Sequence, residues 1–316
     1  MGIFDKKVLM VTGKGGVGKT SWTAALGLAS ARQGKRVLLT EADAAVRDLG
    51  DLFGRAEPLE MTPAEIPTEM IAEKNGRLWA ARIDPHQALR EYVHLHVKVP
   101  FMAGAITKTN LFDHIAEGTP GLRELMTLGQ LWRWSLHKIP EAPEVDQLIF
   151  DGPATGHFRS LLRQPKALAD LMKSGPLVDQ TRKVRELLEN PEKTGIVLIA
   201  LPEELPVNET LEFLRDPEMA PRVELVVVNA MAPTFFSPEE AETLLERCEK
   251  LNGALPPDLE ASRRMIRRRR VQEGLAAKLR AAWDGPVMEM SFSFAARKGP
   301  DGVAEMADRL EAFHHG

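Results

Sequence analysis

The sequence predicts an α/β domain in which a mostly parallel sheet of about seven strands is flanked by helices. Short apolar runs rich in β-branched residues recur along the chain, as in strands that are buried on both faces. Helix-length segments separate these runs, which favours parallel neighbours joined by crossover helices. The predicted strands are Val8 to Val11, Arg36 to Glu41, Leu78 to Ile83, Val145 to Phe150, Ile196 to Leu201, Val223 to Val228 and Pro286 to Met290.

A glycine-rich loop follows the first predicted strand. The run Gly13-Lys14-Gly15-Gly16-Val17-Gly18-Lys19-Thr20 fits G-x-x-x-x-G-K-[ST], and Ser21 continues it. Apolar residues then recur at helical spacing, and Gly34 is placed to end that helix. A glycine-rich turn without a ligand is the alternative, but the strand, loop and helix stand in the order that a phosphate-binding loop requires.

The chemistry of phosphate binding needs these residue types. Glycines let backbone N–H groups approach a phosphate, and the start of the helix adds its positive end. The Lys19 ammonium can reach the β- and γ-phosphates, and the Thr20 hydroxyl can bind Mg²⁺. ATP and Mg²⁺ are therefore the predicted ligands. The predicted binding residues are Gly13, Lys14, Gly15, Gly16, Val17, Gly18, Lys19, Thr20 and Ser21.

Carboxylates follow two of the predicted strands. Glu41 and Asp43 come at the end of the second, and Asp151 comes directly after the run that ends at Phe150. Ligands bind at the carboxyl ends of strands in open α/β sheets. Asp151 is therefore expected to hold Mg²⁺, directly or through water, and Glu41 to assist through a metal-bound water. The alternative for Glu41 and Asp43 is that they cap the next helix.

Lys14 makes the loop K-G-G-V-G-K-T, which resembles the deviant Walker loop of the ParA, MinD, nitrogenase-iron-protein and arsenite-pump ATPases. The resemblance implies that Lys14 reaches phosphates bound by the other subunit of a dimer. It also implies that Asp43 orients the attacking water and that Asn229, which follows a strand, contacts adenine. A solvated loop lysine and a turn asparagine are the alternatives for Lys14 and Asn229.

Two further segments resemble the arsenite-pump and tail-anchored-protein-targeting ATPases. Asp84-Pro85-His86-Gln87-Ala88-Leu89 is similar to their I-D-P-x-x-A-L, with Asp84 as the expected cap of a helix. The run from Asp151 to His157 is similar to D-T-A-P-T-G-H, with Gly152 and an exchanged Pro153-Ala154 as departures. The first switch reads Asp43-Ala44-Ala45-Val46 instead of D-P-A-H. These departures lie in the switches and leave the phosphate-binding residues intact.

A single domain, residues 1–316, is expected to contain a helical insertion. The insertion covers about residues 85–143 and 160–190 and carries many apolar residues. One interpretation makes them ordinary core, and the other makes them a client-binding surface rich in Met and aromatic side chains.

Composition narrows the choice of partners. The formal net charge of −4 gives no indication of nucleic-acid binding, and no apolar run reaches the length of a membrane helix. Cys248 is the only cysteine, which excludes a disulfide framework and fits a reducing cytoplasm. The basic run 263–270 is interpreted as a solvated helix face, with a lipid or acidic-partner site as the less favoured alternative.

The sequence therefore predicts a Mg²⁺-dependent dimeric ATPase of the cytoplasm. Hydrolysis is expected to open and close two switches and thereby to deliver or position a protein client. The dimer is either a homodimer or a heterodimer with a paralogue. A nucleotide-binding, weakly hydrolysing partner subunit and a MinD/ParA-like positioning switch are the alternatives. Metalloid transport is disfavoured because one cysteine cannot assemble a thiolate site within one chain.

Overall fold

The computed structural model describes residues 2–42, 49–67, 69–71, 75–97, 104, 107, 109, 112–114, 118–119, 121–136, 143–171, 175–251, 255–293 and 299–315. Within them an eight-stranded sheet has the order β3-β4-β2-β5-β1-β6-β7-β8. Only β3 pairs antiparallel among these strands, so the predicted mostly parallel α/β fold is confirmed. The strands are β1 Val8–Gly13, β2 Arg36–Glu41, β3 Ala64–Glu65, β4 Arg77–Arg82, β5 Gln147–Ala154, β6 Thr194–Ala200, β7 Val223–Met231 and β8 Val287–Ser291.

Helices connect these strands, and their ends follow local sequence signals. Asp84 caps α3 by accepting from the backbone N–H groups of His86 and Gln87, as the sequence predicts. Gly34, at a φ of 84°, follows the end of α1. The helices are α1 Lys19–Arg32, α2 Leu49–Leu52, α3 Pro85–His96, α4 Leu122–Ser135, α5 Thr155–Leu171, α6 Pro176–Leu188, α7 Glu204–Leu214, α8 Pro238–Lys250, α9 Pro257–Ala282 and α10 Pro300–His315.

Both faces of the sheet are covered, which explains why its strands are continuous apolar runs. Alternate residues of β1 enter different clusters: Val8 and Met10 join one, and Leu9 and Val11 join the other. Helices α1 and α10 contribute to the cluster that contains Leu9. Helices α3, α4, α6 and α9 contribute to the cluster that contains Met10. The glycine loop thus follows a central strand, β1, that is packed on both faces of the sheet.

The described part of the predicted helical insertion packs on the sheet. Leu89 of α3, Leu125 of α4 and Val184 of α6 belong to the same buried cluster as Phe150 of β5. Most apolar residues of α4 are therefore core residues, whereas Leu95 of α3 is 60% exposed. The boundaries of the insertion stay a prediction. Much of its segment between α3 and α4 lies outside the described residues.

Two segments add detail to the pattern of strands and helices. The polar, proline-bearing connection from Leu52 to Asn75 contains the two-residue strand β3. The helical stretch from Pro238 to Trp283 contains two helices, α8 and α9. Among the described residues, no helix combines the length and the apolar character that crossing a membrane requires.

Candidate nucleotide site

The glycine loop lies between the carboxyl end of β1 and the first turn of α1. Gly16 and Gly18 have φ values of 81° and 94°, which residues with a side chain rarely adopt. A Cβ added at Gly15 or Gly16 would meet no atom within 4 Å, so their backbone is open to a ligand. Gly18 is also the N-cap of α1, which places the positive end of that helix beneath the loop. The loop therefore has the geometry of an anion site.

Lys19 bends back under this loop. Its Nζ donates to the carbonyl oxygen of Lys14 at 3.2 Å. Burial lowers the pKa of Lys19, and the negative charge of Asp151 opposes that shift. Ser21 follows in the same turn and is half-buried. The ammonium is thus held in the loop by a backbone carbonyl and faces a carboxylate from the neighbouring strand.

Asp151 lies on β5, which pairs with β1, and its carboxylate contacts the first turn of α1. The Thr20 hydroxyl donates to Oδ2 at 2.6 Å, and the Thr23 hydroxyl donates to Oδ1 at 3.4 Å. Burial raises the pKa of Asp151, while the hydrogen bond from Thr20, the charge of Lys19 and the hydrogen bond from Thr23 lower it. The predicted metal-binding pair is therefore brought together in space.

The donor set at this point suits Mg²⁺. A hydroxyl and a carboxylate are oxygen ligands, and Mg²⁺ is commonly held by one or two carboxylates together with substrate phosphates. Among the described residues, no group of three or more His, Cys, Asp or Glu side chains forms an independent metal site. Thr20 and Asp151 therefore fit a metal that binds together with a nucleotide.

Glu41 reaches the same edge of the sheet but is engaged elsewhere. It is paired with Asp151 in the register of β2 and β5, and it is 2% exposed. Its Oε2 accepts from the backbone N–H of Leu49 at 3.0 Å, and its Oε1 accepts from Arg82 at 3.0 Å. These contacts support the capping interpretation, and its role at a metal stays a prediction. Asp43 lies outside the described residues.

Lys14 has a partner that the sequence did not indicate. Its Nζ lies 3.4 Å from Oε1 of Glu209 on α7, and the Thr155 hydroxyl donates to the other oxygen of Glu209 at 3.1 Å. Thr155 is the first residue of α5, directly after the Asp151 strand. A sequence signal for this contact exists: Glu209 is an acidic residue on the helix that follows β6. Because β6 is the neighbour of β1 in the sheet, that helix begins near the loop that follows β1.

Asn229, on β7, contacts the glycine loop. Its side-chain amide donates to the carbonyl oxygen of Val17 at 2.8 Å. A Cβ at Gly18 would lie 2.8 Å from the same nitrogen, so this approach requires glycine at position 18. The amide thus lies at the loop, and its predicted contact with adenine stays a prediction.

Comparisons with known proteins agree with this geometry. Residues 6–178 match the family described as Anion-transporting ATPase. ATPase BagA of Mycobacterium tuberculosis is 33% identical over 236 residues, which cover 73% of this chain and 67% of that protein. The ATPase GET3 of Lachancea thermotolerans is 27% identical over 280 residues, 77% of this chain and 76% of the relative. An arsenical pump-driving ATPase of Escherichia coli is 27% identical over 270 residues, 79% of this chain but 44% of the pump ATPase.

Proposed function

This chain belongs to the anion-transporting ATPase family and is an ATPase, and from that premise we propose a more specific activity. It hydrolyses ATP with Mg²⁺ as a dimer, and the reaction opens and closes the dimer to deliver or position a protein client. The observation that carries the proposal is the hydrogen bond between Thr20 and Asp151 beneath the glycine loop, with Lys19 beside it.

The reaction depends mainly on position and charge. The backbone N–H groups of the loop and the start of α1 bind the phosphates, and Lys19 neutralises charge on the β- and γ-phosphates. Thr20 and Asp151 would hold Mg²⁺, and the bound ion would neutralise the charge that develops on the phosphate oxygens. Asp43 accepts a hydrogen bond from the attacking water and aligns it with the γ-phosphate. Each residue acts before the bond breaks, by fixing where charge and water lie.

The proposed dimer rests on Lys14. A lysine at this position of the loop neutralises phosphate charge in the partner subunit, as the resemblance to deviant Walker ATPases implies. In the single chain its ammonium faces Glu209 instead. Because Glu209 also accepts from Thr155, at the start of α5, release of Lys14 connects nucleotide binding to the helix that follows Asp151.

The proposed client surface lies among α3, α4 and α6. These helices line a groove of about 300 Å³ in which exposed Leu95 stands beside Tyr92 and Trp132. A protein client is supported by the two segments that resemble tail-anchored-targeting ATPases, from Asp84 to Leu89 and from Asp151 to His157. A metalloid cargo is not proposed, since the lone Cys248 is buried within the α8–α9 region.

Phosphate release by the purified protein tests this function. We expect turnover with Mg²⁺ and ATP, loss of turnover with a chelator, and a higher Mg²⁺ requirement in Thr20→Ala. Thr243→Ala on α8 is the matched control, because its hydroxyl donates to the local carbonyl of Glu239. Equal Mg²⁺ dependence in both variants would show that Thr20 is not a metal ligand. Full turnover in excess chelator would refute the Mg²⁺-dependent reaction.

A further inference from the structure

One exposed face of α9 carries a cluster of arginines with few acidic neighbours among the described residues. Arg264, Arg267 and Arg268 lie at the i, i+3 and i+4 spacing that places side chains on one side of a helix. All three are exposed, and the Arg264 side chain is 72% exposed. We call the surface formed by Arg264, Arg267, Arg268, Val271, Gly274 and Lys278 the basic face of α9.

The neighbouring arginines of the run are neutralised within the chain. Arg263 pairs with Glu260 at 2.6 Å, Arg269 pairs with Glu273 and Glu289, and Arg270 pairs with Glu242. Arg264 reaches Glu260 only at 3.9 Å. No acidic side chain in the described ranges lies within ion-pair distance of Arg267 or Arg268.

Like charges at these spacings repel one another and weaken a helix. The approach of carboxylates to the basic face therefore lowers its electrostatic energy. Guanidinium groups suit this role because their planar forks bind carboxylates with two parallel hydrogen bonds. The net charge of the whole chain is −4, so the positive charge of this face is local.

Between the arginines and Lys278, the basic face has a short uncharged strip formed by Val271 and Gly274. Val271 is 64% exposed, and a Cβ added at Gly274 would meet no atom within 4 Å. The absence of a side chain at Gly274 leaves room for a second helix to come close. From Arg264 to Lys278 the face is about 21 Å long, or about four helical turns. An arginine cluster next to an open small-residue strip matches a helix that is acidic at one end and apolar at the other.

We propose that the basic face of α9 binds an acidic amphipathic helix of a partner protein. Carboxylates of that helix pair with Arg264, Arg267 and Arg268, and its apolar side chains pack on Val271 and over Gly274. This surface contains none of the predicted nucleotide-binding residues. Helix α9 packs against α7, which carries Glu209, so the partner docks one helix away from Lys14.

A labelled synthetic helix of about 20 residues tests the proposal, with glutamates on its binding face at one end and leucine and alanine on that face at the other end. Its affinity for the full chain is measured by fluorescence anisotropy at about 0.05 M salt, where charge pairs are weakly screened. A peptide with glutamine in place of each glutamate is the control probe. We expect the acidic helix to bind and its glutamine counterpart to bind at least about tenfold more weakly.

Two sets of variants locate the binding. The triple variant R264Q/R267Q/R268Q should weaken binding about tenfold, whereas R182Q/R185Q/K193Q removes equal charge elsewhere and should leave it unchanged. Gly274→Gln fills the small-residue strip and should weaken binding about threefold or more, while glutamine raises helix propensity and keeps α9 folded. Phosphate release should match the wild-type rate in all of these variants.

Three results would overturn the proposal. The first is no measurable binding of the acidic helix by the wild-type chain. The second is equal weakening by both triple variants, which indicates a general charge effect. The third is tighter binding to phosphatidylserine vesicles or duplex DNA than to the helix, sensitive to the arginines but not to Gly274→Gln, which assigns the face to lipid or nucleic acid instead.

Discussion

The Thr20 hydroxyl donates to a carboxylate oxygen of Asp151 at 2.6 Å, and this contact joins the first turn of α1 to β5. It lies at the carboxyl ends of two paired strands, where the sheet opens toward a ligand. Because the Asp151 carboxylate is buried before any cation binds, the nucleotide-free protein holds a charge that burial disfavours. The proposed Mg²⁺ site therefore carries a cost to the stability of the nucleotide-free protein.

Asp151→Asn should stabilise the nucleotide-free protein at neutral pH. Burial raises the pKa of Asp151 in the folded chain, so the folded state holds this proton more tightly than the unfolded state does. The stability that protonation provides is present at low pH and is lost as the pH rises through the folded pKa. Thermal unfolding at pH 8 should show a higher Tm for the variant, and the difference should shrink toward pH 4. A lower Tm at pH 8 would contradict the assigned burial cost.

The same variant should lose stabilisation by Mg·ATP. At a nucleotide concentration of about 100 times Kd, binding adds about 2.7 kcal/mol to the stability of the wild-type chain. The added gain with Mg²⁺ should be smaller in Asp151→Asn, whereas Asp146→Asn, a control at an exposed ion pair with Arg36, should keep it. Equal Mg²⁺-dependent gains in both variants would exclude Asp151 as a ligand.

Lys19→Ala should abolish turnover and weaken ATP binding. The substitution removes the main cation at the β- and γ-phosphates and the ammonium that binds the Lys14 carbonyl. Lys278→Ala, at an exposed position of α9, is the control for loss of one positive charge. Calorimetry and phosphate release should both separate the two variants. Unchanged ATP affinity and turnover in Lys19→Ala would show that the glycine loop does not bind the nucleotide.

Asp43→Asn should slow hydrolysis by roughly a hundredfold or more while ATP still binds, the scale of one positioned catalytic group. Asparagine keeps the size of the side chain but loses the charge that aligns water. Single-turnover hydrolysis, measured beside equilibrium ATP binding, separates the chemical step from affinity. Wild-type rates would assign Asp43 to capping the next helix.

The sequence predicts the fold well, because the fold depends on local pattern. Buried apolar runs indicate the parallel strands, and the glycine loop with Lys19 and Thr20 lies where the pattern puts it. The strand β3 was missed because two residues between prolines carry no periodic signal, and its pairing with Trp79 and Ala80 is a tertiary effect.

Contacts between distant segments could not be predicted in the same way. The pairing of Lys14 with Glu209 and that of Asn229 with Val17 depend on the order of β1, β6 and β7 in the sheet. Local sequence does not determine that order. The engagement of Glu41 by Arg82 likewise follows from the adjacency of β2 and β4.

Glu209→Gln should tighten the ATP-dependent dimer by a few-fold, because it removes the charge that holds Lys14 within its own chain. Glu212→Gln, an exposed position on the same helix, is the matched control. Sedimentation is measured in the Asp43→Asn background with Mg·ATP, so that hydrolysis does not empty the site. A weaker dimer in Glu209→Gln than in Glu212→Gln would show that Glu209 supports the interface instead of competing for Lys14.

The most direct test of the central claim mixes two variants that we expect to hydrolyse ATP slowly, Lys14→Ala and Asp43→Asn. If Lys14 acts on the partner's nucleotide and Asp43 on its own, each mixed dimer contains one complete site. After exchange at equal concentrations, phosphate release should recover to about a quarter of the wild-type rate, since half of the dimers are mixed and half of their sites are complete. A mixture that stays at the average of the two separate variants would contradict a Lys14 that acts across the dimer.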